Sequence, residues 1–328
     1  MDVSVIIVNW NTRDLLRDCL KSVYEQTKDI LFEVIVIDNA SSDGSVDMVK
    51  SEFCQVVLIE NKQNRGFAAG VNQGIAVAKG RYALVLNSDT IVCDNAIGKT
   101  MRYADKHPEA ALVGCQVLDN SNTIQMTCFR FPSVLNLFLH TFALNKIFKK
   151  HHFLGREWML WWPRDSEREV EVVSGSFMLV RRNAIDDIGL MDEDYFLYYE
   201  ETDWCYRFAK AGWKILFWPG AKIIHCHGGR NSSKQEALKM AVQMQKSCLI
   251  FFKKHRDIVS YITVRLLLMI SLACRFCFWT VALFVKYLLR NSSNHEKKKI
   301  AENWSIFKYC AFGCEPLKTT NKSQCCKH

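Results

Sequence analysis

The first ninety residues alternate short apolar runs with stretches of helical spacing, and this alternation restricts the fold more than any other feature. VSVIIV (Val3 to Val8), VIVID (Val34 to Asp38), VVLIE (Val56 to Glu60) and YALVLN (Tyr82 to Asn87) read as buried strands. Thr12 to Tyr24 places Leu15, Leu16, Cys19, Leu20 and Val23 at helical spacing, with Thr12 as its cap, and Val46 to Phe53 and Gly66 to Ala78 read as further helices. Apolar strands that each lead into a helix imply an α/β fold: a mostly parallel, Rossmann-like sheet covered on both faces. Ligands of such sheets bind beyond the carboxyl ends of the strands. Asn9, Trp10 and Asn11, then Asp38 and Asn39, then Asn87, Ser88 and Asp89 occupy those ends and are expected to converge on one edge.

The pattern changes after residue 110. Val170 to Arg182 reads as a strand, a Gly turn and a second apolar run, and Asn183 to Ile188 as a short helix. Tyr199 to Ala211 reads as a helix with three acids in its first turn. WKILFWP is a strand stopped by Pro219, and AKIIHCHGG a separate one. Phe131 to Arg168, aromatic, basic and poorly patterned, reads as a partly helical insertion or lid. Residues 234–256 form a polar amphipathic helix. Residues 258–289 are apolar but broken by Arg265, Arg275 and Lys286, so no uncharged stretch reaches the roughly 18 residues of a spanning helix. At helical spacing these cations share one arc of about 80°, a basic stripe that suits a helix in the membrane interface. A buried core helix and a single tilted span are the competing readings.

Charge divides the chain along the same line. The net +9 of the 328 residues is −4 over 1–228 and +13 over 229–328. An acidic front argues against nucleic acid as a partner, and a basic, apolar rear suits anionic headgroups. An apolar run beginning at Val3 without a basic leader leads to the expectation of a cytoplasmic protein, peripherally associated with the inner face of the membrane. The 14 cysteines are scattered, and no disulfide framework is expected. Cys310, Cys314, Cys325 and Cys326 are too irregularly spaced for an ordinary zinc site, and acylation is the other reading of the membrane-proximal cysteines.

Five constellations carry chemistry. Asn87-Ser88-Asp89 is either a plain turn or a carboxylate placed to ligate a hard cation on a diphosphate. Asp38-Asn39 before SSDGS is either an Asx turn or a reader of a pyrimidine or ribose. In NRGFAAGVNQG, Asn64 and Arg65 precede a helix N-terminus that favours phosphate, while Gly66, Gly70 and Gly74 mark a smooth face for packing. Glu200, Glu201 and Asp203 complement a helix dipole, pair Asp203 with Arg207, or hold one carboxylate as a general base. His225 and His227 share a strand face and are candidates for metal or diphosphate.

Taken in order, VSVIIVNWN, VIDNASSDGS, NRGFAAGVNQG, LVLNSDT, VSGSFMLVRR, GLMDEDYFLYYEETDWCYRFAKAGW and HCHGG resemble the family 2 glycosyltransferases, over about residues 2–230, and most of all a rhamnosyltransferase-like branch of cell-envelope polysaccharide assembly. The resemblance implies a glycosyltransferase-A fold, a nucleotide-diphosphate sugar donor, a divalent cation (Mg²⁺ or Mn²⁺) and inversion at the anomeric carbon. It implies dTDP-rhamnose as donor and a glycan or lipid-linked acceptor. It makes Asp38 the reader of the donor base, with Asn9, Asn11, Asn39, Asn64, Arg65 and Ser88 around the donor. It makes Asp89 the metal ligand, helped by His225 or His227, with Asn87 where the family's first aspartate stands. Glu200 and Glu201 fall on the family's Glu-Asp pair, with Asp203 nearby, and Gly175, Ser176 and Trp204 fall on the acceptor side. The expected division is a catalytic domain over 1–230, membrane-associated helices over 231–290 and a mobile basic tail over 291–328. Two rivals remain: a membrane-associated scaffold with a degenerate transferase domain, which the departures at Asn87 and Glu201 allow, and a nucleotidyltransferase, for which NWNTRD is the wrong loop.

Overall fold

The computed structural model describes residues 1–148, 150–226 and 237–288, and within 299–311 all but 302, 305, 308 and 309. The chain runs β1 (Val3–Asn9), α1 (Arg13–Gln26), β2 (Phe32–Asp38), α2 (Ser45–Glu52), β3 (Val57–Glu60), α3 (Phe67–Val77), β4 (Tyr82–Asn87), β5 (Thr90–Val92), α4 (Ala96–Asp105), β6 (Ala110–Leu118) and β7 (Cys128–Phe129). It continues through α5 (Val134–Thr141), α6 (Leu144–Ile147), β8 (Arg168–Glu169), β9 (Val172–Val173), β10 (Phe177–Arg181), α7 (Arg182–Ile188), α8 (Glu200–Lys210) and β11 (Lys214–His225). Two long helices follow, α9 (Ala237–His255) and α10 (Ile258–Leu288).

One sheet orders its strands β3-β2-β1-β4-β10-β6-β11-β5, with β8 attached to β11. The half from β3 to β4 is parallel, as the strand–helix alternation requires. β10 then enters antiparallel to both β4 and β6, and β11 returns parallel to β6. The expected mostly parallel sheet is therefore mixed from β10 onward. Period-2 alternation sends Val5, Ile7, Val34 and Val36 into a core with α1, α2 and α4. It sends Ile6, Ile35 and Ile37 into a second core with α3, α7 and α8. Gly74 permits the close approach of α3 to the sheet, since a Cβ there would stand 2.4 Å from Ile6 Cγ2.

Three expectations change. Pro219 does not stop a strand. β11 runs through it as one strand, and a register shift between Trp218 and Lys222 takes the proline, which has no N–H to donate, out of the ladder with β6. The stretch 131–168 is not a free lid. Met159, Trp162 and Arg164 are buried, Trp162 packs edge-on to Phe217, and Arg164 donates to the carbonyls of Met159, Trp162, Trp158 and Cys128. Finally, α10 is one unbroken helix of 31 residues, long and apolar enough to cross a membrane. Few of its residues are buried. Arg265, read as part of a stripe facing lipid, donates instead to the carbonyls of Cys310 and Ala311.

Elsewhere in 299–311, Ile306 and Cys310 pack with Val242 and Leu272. Cys314, Cys325 and Cys326 lie outside the described residues.

Candidate active site

Parallel pairing aligns the strand ends. Asn9 stands opposite Asp38, and Val8 opposite Asn87. Asp38 is 2% exposed, accepts the Asn9 amide at 2.9 Å and takes the Ser41 N–H, three residues on, at 2.8 Å. Thr12 sits at the cap position of α1 but does not cap it. Its hydroxyl donates to Asn9 Oδ1 at 2.6 Å and lies 2.9 Å from Ser88 Oγ, which ties β1 to the loop after β4. The Asp43 carboxylate accepts the Arg13 N–H instead. Asn11, at φ 54°, takes the Ser42 N–H on its side-chain oxygen.

Asn39 is committed to the scaffold. Its amide donates to the Gly66 carbonyl and accepts from Asn61. Asn64 accepts the Gly66 N–H, and Arg65 reaches Glu193 at 3.5 Å on the surface. Gly66 has φ +88°, and a Cβ there would stand 2.4 Å from the Phe196 carbonyl. That carbonyl accepts the Phe67 N–H at 2.8 Å. The loop before α8 is thereby pinned over the N-terminus of α3. Val8, Asn9, Asn64, Ser88, Phe196 and Met240 line a cleft between them, so α9 forms part of its wall.

At the next strand end, His225 Nε2 lies 3.0 Å from Asp89 Oδ1 and 3.4 Å from Asn87 Nδ2. The pairing of β5 with β11, with His225 opposite Thr90, produces this contact. Gln125 grips His225 twice: its amide N–H donates to the His225 carbonyl at 3.0 Å, and its oxygen faces Nδ1 at 3.0 Å. An oxygen facing Nδ1 places a proton on that nitrogen and turns Nε2 toward Asp89. The carboxylate oxygen suits a hard divalent cation, and the imidazole nitrogen beside it suits a transition ion such as Mn²⁺ better than Mg²⁺. No group of three or more His, Cys, Asp or Glu that would hold a metal unaided occurs among the described residues. Diphosphate and water would complete the shell. His227 lies outside the described residues.

The third component is the start of α8. Tyr198 and Tyr199 both adopt positive φ, 66° and 71°, a left-handed conformation that costs aromatic residues about 1–2 kcal/mol each. The kink turns Glu200 into the interior and leaves Glu201 half-buried beside it. Each keeps one carboxylate oxygen buried without a partner. Burial, reinforced by the charge on Glu201, holds Glu200 well above the usual carboxylate range. Burial also raises Glu201, but the backbone N–H groups of Glu201, Thr202 and Tyr199 pull it back. Of the two, Glu201 is the better carboxylate and Glu200 the better holder of a proton.

Two residues grouped with this site have other work. Asp203, 1% exposed, binds Arg207 at 2.7 Å and His255 at 2.5 Å, with the Tyr195 hydroxyl at 3.4 Å. Trp204, expected on the acceptor side, is fully buried, donates its indole N–H to the Gly189 carbonyl and packs on Phe208. Its side chain is core, out of an acceptor's reach. Gly175 and Ser176 do lie at the edge: Ser176 O accepts the Asn87 N–H at 3.3 Å, and a Cβ on Gly175 would meet the Phe67 ring. Gln125 and His255 carried no signal in sequence, because each acts on a partner 52 or more positions away.

Residues 4–161 match the sequence model of the family described as Glycosyl transferase family 2. An N-acetylglucosaminyl-diphospho-decaprenol L-rhamnosyltransferase of Mycobacterium tuberculosis is 27% identical over 246 residues, 68% of this chain and 75% of that one. Rhamnosyltransferase WbbL of Escherichia coli is 26% identical over 237 residues, 68% of this chain and 83% of that one. Among solved structures, the mannosyltransferase PcManGT of Pyrobaculum calidifontis, in complex with GDP-Man and Mn²⁺, superposes with a TM-score of 0.53 at 14% identity, over 94% of this chain and 85% of that one, a likeness of fold. Over its first 161 residues the chain is therefore similar to the family 2 glycosyltransferases, and over two thirds of its length to rhamnosyltransferases among them.

Proposed function

We propose that the chain transfers rhamnose from dTDP-rhamnose to a hydroxyl of a glycan or lipid-linked acceptor, in cell-envelope polysaccharide synthesis, with inversion at the anomeric carbon. The observation that carries this reading is the cleft in which the strand ends face the loop before α8, lined by Asn9, Ser88 and Phe196. The Asp89–His225 contact closes the strand end next to Ser88, and the Glu200–Glu201 pair follows the loop that carries Phe196. The rhamnosyltransferase relatives support the choice of sugar.

In this reading Asp38 and Asn9 sit beneath the nucleoside, with Asn11, Asn64, Arg65 and Ser88 around the donor. Asn39 supports them from below. Asp89 and His225 would hold Mg²⁺ or Mn²⁺, which supplies Lewis-acid stabilisation of the departing diphosphate. Gly175 and Ser176 line the acceptor side. Glu201 takes the proton of the acceptor hydroxyl as its oxygen attacks the anomeric carbon and the bond to diphosphate breaks. Glu200, protonated beside it, carries no second negative charge to oppose the developing alkoxide. Residues 1–230 act as the catalytic domain, and the helices over 231–290 hold it peripherally on the inner face of the membrane, ahead of the basic tail over 291–328.

A panel of nucleotide sugars with Mg²⁺ or Mn²⁺, read as released nucleoside diphosphate, tests this. dTDP-rhamnose is expected to be turned over fastest, and Asp89→Ala to abolish release. Absence of release from every donor, with metal and acceptor present, would favour a binding protein instead.

A further inference from the structure

Residues 130–156 contain five Lys/Arg, three His and five Phe, and no Asp or Glu. α10 likewise contains no acid. The two segments are neighbours in space. α5 packs against α10, and Leu137 of α5 shares a buried cluster with Phe251, Phe252 and Val264. The opposite side of the insertion turns apolar residues outward. Phe138, Phe142, Ile147, Phe148 and Phe153 are 43–68% exposed, and the Phe138 and Phe142 rings meet at a tilt with centroids 4.8 Å apart. α10 likewise exposes Ile258, Val259, Ile262, Leu266 and Ile270.

We propose that the α5–α6 insertion is a second membrane-binding element, and that with α10 it forms one continuous face for an anionic bilayer. Charge chooses the occupant. Clustered Phe on an acid-free, basic segment matches the boundary between acyl chains and anionic headgroups, where aromatic rings bury and cations stay with phosphate. The face also connects to the site. Arg256, at the end of α9, donates to the Pro132 carbonyl at the root of the insertion, and its neighbour His255 binds Asp203 of α8. Contact with the bilayer through both elements therefore holds the catalytic edge at a fixed height above the lipid surface.

Flotation of the full chain with phosphatidylcholine vesicles, with and without phosphatidylglycerol, tests the proposal. The unaltered chain is expected to float with anionic vesicles. Phe142→Asp with Phe148→Asp should reduce that partition at least about tenfold with α10 intact. Lys150→Glu, a change at an exposed cation, should weaken it in anionic vesicles and leave neutral ones unaffected. Thermal melts by circular dichroism establish that the variants fold, and turnover of the donor is measured separately. Partition of both variants equal to the unaltered chain would overturn the proposal, assigning membrane contact to α10 alone. Equal flotation of the unaltered chain with neutral vesicles would overturn the choice of anionic lipid.

Discussion

His255 Nε2 and Asp203 Oδ1 lie 2.5 Å apart, and this contact joins the last turn of α9 to the first turn of α8. Asp203 also binds Arg207, so this buried carboxylate is committed to holding the C-terminal helices against the catalytic helix. Asp203→Asn is expected to cost about 3 kcal/mol in urea denaturation, the usual penalty for stranding a buried partner. The folded variant should keep the pH profile of transfer. A lost acid limb in that profile would instead make Asp203 the base.

Glu201→Gln should lower transfer by about 10²- to 10⁴-fold, whereas Glu200→Gln, which substitutes a neutral isostere for a protonated acid, should be far milder. The active base is deprotonated and burial raises Glu201. Transfer must therefore fall as pH drops through a value above the ordinary glutamate range. Steady-state rates across pH for the two variants check this. Equal losses in both would contradict the division of roles.

Gln125→Leu removes the oxygen that faces His225 Nδ1 without touching Asp89. Mn²⁺ binding, followed by electron paramagnetic resonance of the unbound ion, should weaken by roughly 10- to 100-fold. Unchanged binding would remove Gln125 from the metal's support.

Burial pushes the Glu157 carboxyl up to about 7. A raised carboxyl stabilises the fold below its unfolded pKa, and that contribution is lost as pH rises to about 7. Glu157→Gln should therefore be nearly neutral at pH 4 and stabilising above pH 7, by on the order of 2 kcal/mol in urea denaturation.

The parallel half of the sheet was legible because Val5, Ile7, Val34 and Val36 alternate with Ile6, Ile35 and Ile37 between two cores. Its strand ends converge as the alternation implies. Trp204 was set on the acceptor side by resemblance, while its helical phase turns it inward, where it is fully buried. Pro219 misled because a proline breaks a ladder only where its N–H is needed, and the register shift between Trp218 and Lys222 removes that need. The insertion was illegible because its order comes from Arg164, buried among four carbonyls of its own loop and of Cys128.

The most direct test of the account is the anomeric configuration of the transferred sugar, read by proton NMR on the product made from dTDP-rhamnose with the metal present. Single displacement assisted by Glu201 predicts the configuration opposite to that of the donor, with product formed at least about 100-fold more slowly by Glu201→Gln. Retained configuration, or normal product from that variant, would contradict it.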